Sequence, residues 1–232
     1  RPPRVLALTH IHLDHAGATG SLLRRFPDAE VWVHERGAAH LIDPDKLLRS
    51  ATRLYGADMQ RLWGEVLPVP AERVRVLHGG ETLGAFRVAY TPGHASHHVS
   101  YLHEPSGRAF TGDVTGVRID GACVLAPTPP PDIDVQAWRA SLELIEAWRP
   151  RSLAVTHFGS DDDVEAHLAA LREQLERVCE LAATGDEAGF AASIRARVAS
   201  SSTPETAGAY EQAMPPEQSF HGLARYLRDQ TG

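Results

Sequence analysis

Short apolar runs separated by turn residues make up most of the first 160 residues. Residues 5–8 have the length of a buried strand, and residues 30–34 alternate apolar and polar side chains as a half-buried strand does. Turns containing glycine or proline separate the later runs. This pattern predicts further strands at 74–77, 86–91, 98–103, 109–111 and 153–156. Helices are predicted at 18–26, 37–55 and 134–148, so the body of the chain is expected to be mixed α/β.

The apolar pattern changes at residue 161. Apolar residues then recur at the spacing of one helix face, and acidic residues stand in the first turn. These apolar positions are Val164, Leu168, Leu171, Leu175, Val178 and Leu181. More helix is predicted from residues 186, 204 and 217. We therefore expect an α/β domain over residues 1–160 and a helical region over residues 161–232, part of which overhangs the functional cleft.

The composition narrows the choice of partners. The 232-residue chain is 43% hydrophobic and carries a formal net charge of −7, which disfavours binding to nucleic acid. No apolar run has membrane-spanning length and no signal peptide is visible, so no membrane partner is expected. Cys123 and Cys179 have no metal or redox spacing and are expected to be thiols in a reducing compartment, the cytoplasm. The oligomeric state does not follow from these features.

Histidine is the outlier of the composition, with 13 in the chain. His10, His12, Asp14 and His15 fall within six residues, directly after the predicted strand at 5–8. A loop at a strand end can direct these side chains to two sides, so one peptide can serve two metal ions. Neutral imidazole and carboxylate groups suit zinc, iron or manganese. Packing alone does not require this density of ligands.

Three later segments each end a predicted strand with a potential ligand. His94 follows Pro92-Gly93, Asp113 follows Gly112, and His157 follows the run at 153–156. Open α/β folds bind ligands at strand ends, and glycine lets the backbone approach closely. Each residue alone is weak evidence, but with the first cluster they make five histidines and two aspartates. That set is sufficient for two metal ions.

Four short motifs in this chain resemble those of a known protein superfamily. They are His-x-His-x-Asp-His at 10–15, Thr-Pro-Gly-His at 91–94, Thr-Gly-Asp at 111–113 and Thr-His at 156–157. In this order they are typical of the metallo-β-lactamase-fold superfamily of metallohydrolases. The resemblance covers residues 4–160 and implies an αββα sandwich with the metals between the sheets at one edge. Relatives usually carry at least two strands before the first motif, and nine residues precede His10 here. Either an N-terminal portion is missing from this chain or that sheet is incomplete.

By motif position, the resemblance implies a binuclear site of two divalent ions, with zinc first and iron or manganese as alternatives. The implied ligands are His10, His12 and His94 for one ion, Asp14, His15 and His157 for the other, and Asp113 as the bridge between them. Asp113 would fix the metal spacing, and Asp14 would orient a metal-bridging hydroxide, so both are expected to be catalytic.

Departures from related patterns narrow the expected activity. Class B β-lactamases have a cysteine or another ligand where Asp113 stands, and flavodiiron proteins have a carboxylate where His12 stands. The ligand set is similar to that of glyoxalase II and the acyl-homoserine lactonases. The resemblance thus implies a hydrolase of a small acyl substrate: a thioester, lactone or ester. The alternatives are an iron-dependent sulfur oxidoreductase of the same fold, similar to persulfide dioxygenases, and a nucleic-acid phosphodiesterase.

The substrate contacts are less well marked than the metal ligands. Five residues are candidates, and for each of them an ordinary surface or packing role is the simpler explanation: Arg118, Tyr210, His221, Arg225 and Tyr226. His98 stands where many relatives have a second histidine after their ligand, so it is either a support for the metal site or a packing residue. His97 and His103 are expected to be structural, and His34, His40, His78 and His167 solvated or locally hydrogen-bonded.

Overall fold

The computed structural model of the protein describes residues 1–157 and 159–231. Its strands are β1 (Val5–Ala7), β2 (Glu30–His34), β3 (Val74–Leu77), β4 (Thr82–Leu83), β5 (Phe86–Tyr90), β6 (Val99–His103), β7 (Arg108–Val117), β8 (Ser152–Thr156) and β9 (Gly159–Asp161). Its helices are α1 (Leu13–Ala16), α2 (Thr19–Arg25), α3 (Glu35–Ile42), α4 (Asp45–Tyr55), α5 (Met59–Trp63), α6 (Val135–Ala147), α7 (Val164–Ala183), α8 (Glu187–Ser201), α9 (Pro204–Ala213) and α10 (Pro216–Thr231). Short 3₁₀ turns occupy Gly56–Asp58 and Ala71–Arg73.

The chain divides into two compact units, of which the first comprises Arg1–Glu81, Val88–Tyr90 and His97–Val99. It contains a parallel sheet in the order β1-β2-β3. Its apolar core includes Leu8, Ile11 and Val31, which are all nearly inaccessible to solvent. The β1–β2 pairing continues past β1, because the amide of Leu8 donates to the carbonyl of Trp32. This extension delivers the chain to the histidine cluster.

The second unit comprises Thr82–Arg87, Thr91–Ser96 and Ser100–Gly232. The six-stranded sheet has the order β4-β5-β6-β7-β8-β9, in which β7 pairs antiparallel with β6 and parallel with β8. The core of this unit is built around Trp138 of α6 and aliphatic residues of β7, β8 and α7. Burial of these apolar side chains supplies the main driving force for forming the unit.

Aspartate side chains begin three successive helices of the second unit. Asp134, Asp163 and Asp186 each accept a hydrogen bond from the backbone amide three residues later, at the starts of α6, α7 and α8. Such N-caps satisfy amide groups that have no partner within the helix. The predicted cap at Asp134 and the predicted helical C-terminal region are confirmed. The division into domains at residue 160 stays a prediction.

Two local predictions need correction. The strand predicted at 109–111 extends to Val117, so Asp113 lies inside β7 and not after it. Gly112 and Gly116 have positive φ and the pairing with β8 shifts register here, so the strand continues without regular alternation. The predicted loop at Asp14 and His15 is instead the short helix α1. Among the residues described, no helix is both long and apolar enough to cross a bilayer.

Candidate metal centre

The first unit gathers four of the predicted ligands where the β1 segment ends and α1 begins. The ring centroids of His10 and His12 lie 4.7 Å apart, and those of His10 and His15 lie 4.0 Å apart. Nε2 of His15 lies 3.1 Å from Oδ2 of Asp14. Ligand atoms of His10 and His12 lie within 4.8 Å of each other, and so do those of Asp14 and His15.

Burial of the cluster is graded along the motif. His10 is fully buried and Ile11, between His10 and His12, is 1% exposed, whereas the side chain of Asp14 is 33% exposed. Ile11 belongs to the apolar core of the first unit, which anchors the peptide that carries His10 and His12. The motif thus combines a rigid, buried end with an end that solvent and small molecules can reach.

The second unit brings His94 and Asp113 together, with Nε2 of the histidine 3.3 Å from Oδ2 of the carboxylate. Both side chains are almost completely buried. Nδ1 of His94 lies 2.8 Å from the carbonyl oxygen of Pro127, which can only accept, so Nδ1 is the donor of that bond. A backbone carbonyl on the second ring nitrogen is the usual support of a metal-binding histidine. The pair therefore fits a divalent cation bound through Nε2 and the carboxylate.

Trp138 of α6 connects the segments that carry this pair. Its indole nitrogen donates to the carbonyl of Val114, 2.6 Å away, and its ring stands edge-on to His94 at 5.8 Å between centroids. Gly93 has a φ of +132° and contacts the backbone of Trp138 so closely that no Cβ fits. Glycine before His94 is thus required by both backbone conformation and packing.

His157 directly follows β8, as the sequence predicts, and its side chain is half-buried. Its neighbour Thr156 pairs with Val117 of β7, the strand that carries Asp113. The parallel pairing of β7 and β8 places His157, at the end of β8, next to the strand that carries Asp113, the arrangement expected for ligands from neighbouring strands.

The predicted substrate contacts in the helical region have structural partners. The hydroxyl of Tyr210 donates to the carbonyl of Cys123 at 2.6 Å and accepts from the amide of Ile119 at 2.9 Å. Burial raises the pKa of Tyr210 to about 12, so this hydroxyl stays protonated near neutral pH. His221 lies 3.3 Å from a carboxylate oxygen of Glu187. These contacts favour structural roles for Tyr210 and His221.

Arg225 and Tyr226, two further predicted substrate contacts, lie on α10. Arg225 lies 3.9 Å from Asp229, one helical turn away on the exposed face. Burial raises the pKa of the Tyr226 hydroxyl. A substrate role for either residue, and the position of α10 over the cleft, stay predictions.

Arg118 belongs to a partly buried network centred on Asp161. Its guanidinium is paired with the Asp161 carboxylate, which also lies 2.9 Å from Nδ1 of His167. The other ring nitrogen of His167 donates to the carbonyl of Thr115, 2.8 Å away. Burial alone would raise the pKa of Asp161, but hydrogen bonds from His167 and from the amide of Asp163, with the charge of Arg118, lower it below its usual value.

This network predicts an acid-sensitive contribution to stability. Because the pKa of Asp161 is lower in the folded state, the carboxylate stabilises the fold above its unfolded pKa of about 3.9, and the stabilisation is lost as the pH falls through the folded value. We expect Asp161→Asn to lower the free energy of unfolding at pH 7 by about 1–3 kcal/mol. Urea denaturation at pH 7 and pH 3 measures this effect.

The exposed neighbour Asp162 provides the matched control, since Asp162→Asn removes the same charge without breaking the network. The difference between the Asp161→Asn protein and the parent should shrink at pH 3. An equal loss of stability at both pH values would contradict the role of the Asp161 charge.

The sequence did not mark the aromatic pair Tyr55 and Trp63 of the first unit as functional. Their rings meet at 68° with centroids 5.3 Å apart. Burial, and secondarily the negative charge of Asp14, raises the pKa of Tyr55 to about 12. Tyr55 lies in α4 and Trp63 in α5, and the sequence gives no local sign that these two helices bring their rings together.

A family model described as "Metallo-beta-lactamase superfamily" matches residues 1–157, well over half of the chain. The chain belongs to the metallo-beta-lactamase superfamily. All seven predicted ligands lie within the matched stretch, and the predicted fold class is confirmed. Members of the superfamily are generally hydrolases and bind divalent metals, typically two.

Two relatives show how much of the chain is similar in sequence to known members of the superfamily. The metallo-beta-lactamase fold-containing protein ST1585 of Sulfurisphaera tokodaii is 33% identical over 74% of this chain and 67% of its own length. Hydroxyacylglutathione hydrolase GloC of Haemophilus influenzae is 30% identical over 48% of this chain and 49% of its own length. The chain therefore spans about half of the length of GloC.

Solved structures show the same fold. The crystal structure of ST1585 from Sulfolobus tokodaii has a TM-score of 0.68 and 27% identity, over 94% of this chain and 79% of that one. The crystal structure of TTHA1623 in a di-iron-bound form has a TM-score of 0.56 and 25% identity, over 73% of this chain and 76% of that one.

Proposed function

We propose that the protein is a binuclear metal-dependent hydrolase of a small acyl substrate: a thioester, lactone or ester. The observation that carries the proposal is the buried pair of His94 and Asp113, in which the Pro127 carbonyl holds the histidine and its other nitrogen faces the carboxylate. A buried imidazole and carboxylate in this orientation suit metal binding better than they suit packing.

The proposed ligands follow the family motif. They are His10, His12 and His94 for one ion, Asp14, His15 and His157 for the other, and Asp113 as the bridge. The clustering of the first four ligands in one unit and the pairing of His94 with Asp113 in the other support this assignment. We propose zinc as the metal, because neutral imidazole and carboxylate groups suit it. Iron and manganese are the alternatives, and a similar structure is described in a di-iron-bound form.

Two divalent ions would supply a hydroxide nucleophile at neutral pH and polarise the substrate carbonyl oxygen. The residues of the chain would position the metals and the nucleophile. The backbone-held His94 would keep its ligand nitrogen in place, and Asp113 would set the separation of the two sites. Asp14, at the accessible end of the cluster, would accept a hydrogen bond from the nucleophile and orient it toward the substrate.

Two observations support an acyl substrate. The relative GloC is named as a hydrolase of hydroxyacylglutathione. In addition, Tyr55 and Trp63 form an aromatic pair in the same unit as Asp14, and we propose that these rings contact the apolar part of an acyl group. We propose a small molecule as the partner of this site.

The cysteines support a reducing location such as the cytoplasm. Cys123 and Cys179 are both free thiols. Burial raises the pKa of Cys179 to about 11, so this thiol is poorly reactive at neutral pH.

Metal analysis of the purified protein, together with a panel of thioesters, lactones, esters and phosphodiesters, tests the proposal. We expect about two metal ions per chain, turnover of at least one acyl class, and loss of turnover after chelation that is reversed by adding metal. Phosphodiesters should be inert, and a persulfide should cause no oxygen consumption.

Other results would support the two alternatives in place of an acyl hydrolase. A single tightly bound iron with persulfide-dependent oxygen uptake would identify a sulfur oxidoreductase. Turnover restricted to phosphodiesters or RNA would identify a phosphodiesterase.

A further inference from the structure

His97 contacts the peptide that carries two of the proposed ligands. Its Nδ1 accepts a hydrogen bond from the backbone amide of Ile11 at 3.3 Å, between His10 and His12. Two residues later, the amide of Val99 donates to the carbonyl of Thr9 at 2.7 Å. The segment from 97 to 99 therefore bridges the ligand peptide at two points, and all of these residues belong to the first unit.

The position of the His97 ring is fixed on several sides. It lies nearly parallel to the His10 ring with centroids 6.2 Å apart, and perpendicular to the His12 ring at 5.5 Å. Only 9% of the residue is exposed. Gly37 of α3 packs against both partners, because a Cβ there would lie 2.8 Å from a methyl group of Ile11 and 3.6 Å from Cβ of His97. Helix α3 therefore packs against both Ile11 and His97 and restricts their movement.

The hydrogen bond that His97 accepts gives it a different role from the proposed ligands beside it. A neutral imidazole has one nitrogen that donates and one that accepts. In His97 the accepting nitrogen is Nδ1, and it faces the amide of Ile11. The hydrogen then resides on Nε2, so neither nitrogen offers a lone pair to a metal ion. His97 is therefore suited to hold the ligand peptide and unsuited to bind the metal.

We propose that His97 is a positioning residue that fixes the spacing of His10 and His12 through the amide of Ile11. The inference deepens the proposed function, because it concerns the affinity of the site that those two histidines would build. Supports of this kind typically change metal affinity by about 10–100-fold when they are removed.

Three substitutions at position 97 test the role of Nδ1. Asparagine places its side-chain oxygen near the position of Nδ1 and can accept from Ile11, glutamine places its polar end near Nε2, and leucine fills the space without an acceptor. We expect His97→Gln and His97→Leu to weaken the binding of one zinc ion per chain by about 10–100-fold in competition with a chelator. His97→Asn should bind close to the parent value.

A second measurement uses the metal-free protein. Hydrogen exchange at the amide of Ile11 should be slow in the parent and in His97→Asn, and faster in His97→Leu. His103→Leu is the control, because His103 is a partly exposed histidine whose Nδ1 contacts Ser106 instead of the ligand peptide. This control should change neither zinc affinity nor exchange at Ile11.

The outcomes separate the inference from the proposed function. Parent-like zinc affinity and Ile11 exchange in His97→Leu would overturn the positioning role. If His97→Asn were as defective as His97→Leu, and the absorption spectrum of the cobalt-substituted protein showed one ligand fewer, His97 would be a ligand instead. A parent that binds two zinc ions but hydrolyses nothing would sink the proposed function, whereas slow exchange at Ile11 that depends on an acceptor at position 97 would still support the inference.

Discussion

Replacing Asp113 with asparagine should leave a folded protein with at least one poorly occupied metal site and turnover lowered by about 100-fold or more. Asparagine has nearly the same size, so it fits the buried position that the 7% exposed aspartate side chain occupies in β7. The substitution removes the negative charge that faces Nε2 of His94 and that would bridge the two metals. Metal content and turnover, measured on the same preparation, report both effects.

Asp161→Asn is the control for this experiment, because Asp161 is also a buried aspartate of the second unit but takes part in a structural network. It should lower stability and leave metal content unchanged in the folded protein. An Asp113→Asn protein with two full metal sites and undiminished turnover would falsify the bridging role and the binuclear mechanism.

Gly93→Ala should destabilise the protein by about 3 kcal/mol or more, from the combined cost of backbone strain and overpacking. Gly93 has a φ of +132°, and an added Cβ would lie 2.6 Å from the backbone nitrogen of Trp138 and still closer to its Cα. The backbone of Trp138 cannot move away easily, because its indole is hydrogen-bonded to the carbonyl of Val114 and buried in the core. Thermal and urea denaturation measure the loss.

Gly80→Ala separates the two causes. Gly80 also has a positive φ, +97°, but an added Cβ there would meet no atom within 4 Å. Its substitution should therefore cost backbone strain alone, and clearly less than that of Gly93. Equal losses for the two substitutions would mean that the contact with Trp138 contributes nothing to the requirement for glycine before His94.

Much of the fold followed from local patterns. The strands at 30–34 and 74–77 were predicted at their observed bounds, because apolar residues and turns delimit them sharply. The full length of β7 could not be predicted, since Gly112 and Gly116 interrupt the alternation while the backbone continues to pair. The helix α5 was also missed, because its five residues are too few for the spacing of apolar residues to distinguish a helix from a turn.

The candidate site also has a part that local sequence patterns predict and a part that they do not. The proposed ligands stand in a dense motif or at predicted strand ends, so residue types and spacing alone were enough to propose them. The contact of His97 with Ile11 joins residues far apart in the sequence, and no local pattern encodes such a contact. For the same reason, the hydrogen bonds of Tyr210 and the ion pair of Arg118 could be found only from the structure.

The division of the chain into units has an evolutionary consequence. The first unit is assembled from one long segment and two short returns, Val88–Tyr90 and His97–Val99, and the stretch between those returns, Thr91–Ser96, carries His94 and belongs to the second unit. No single crossover point in the gene separates the two units. A recombination event that exchanged either of them would split the other, so the proposed ligands on both must be inherited as one block.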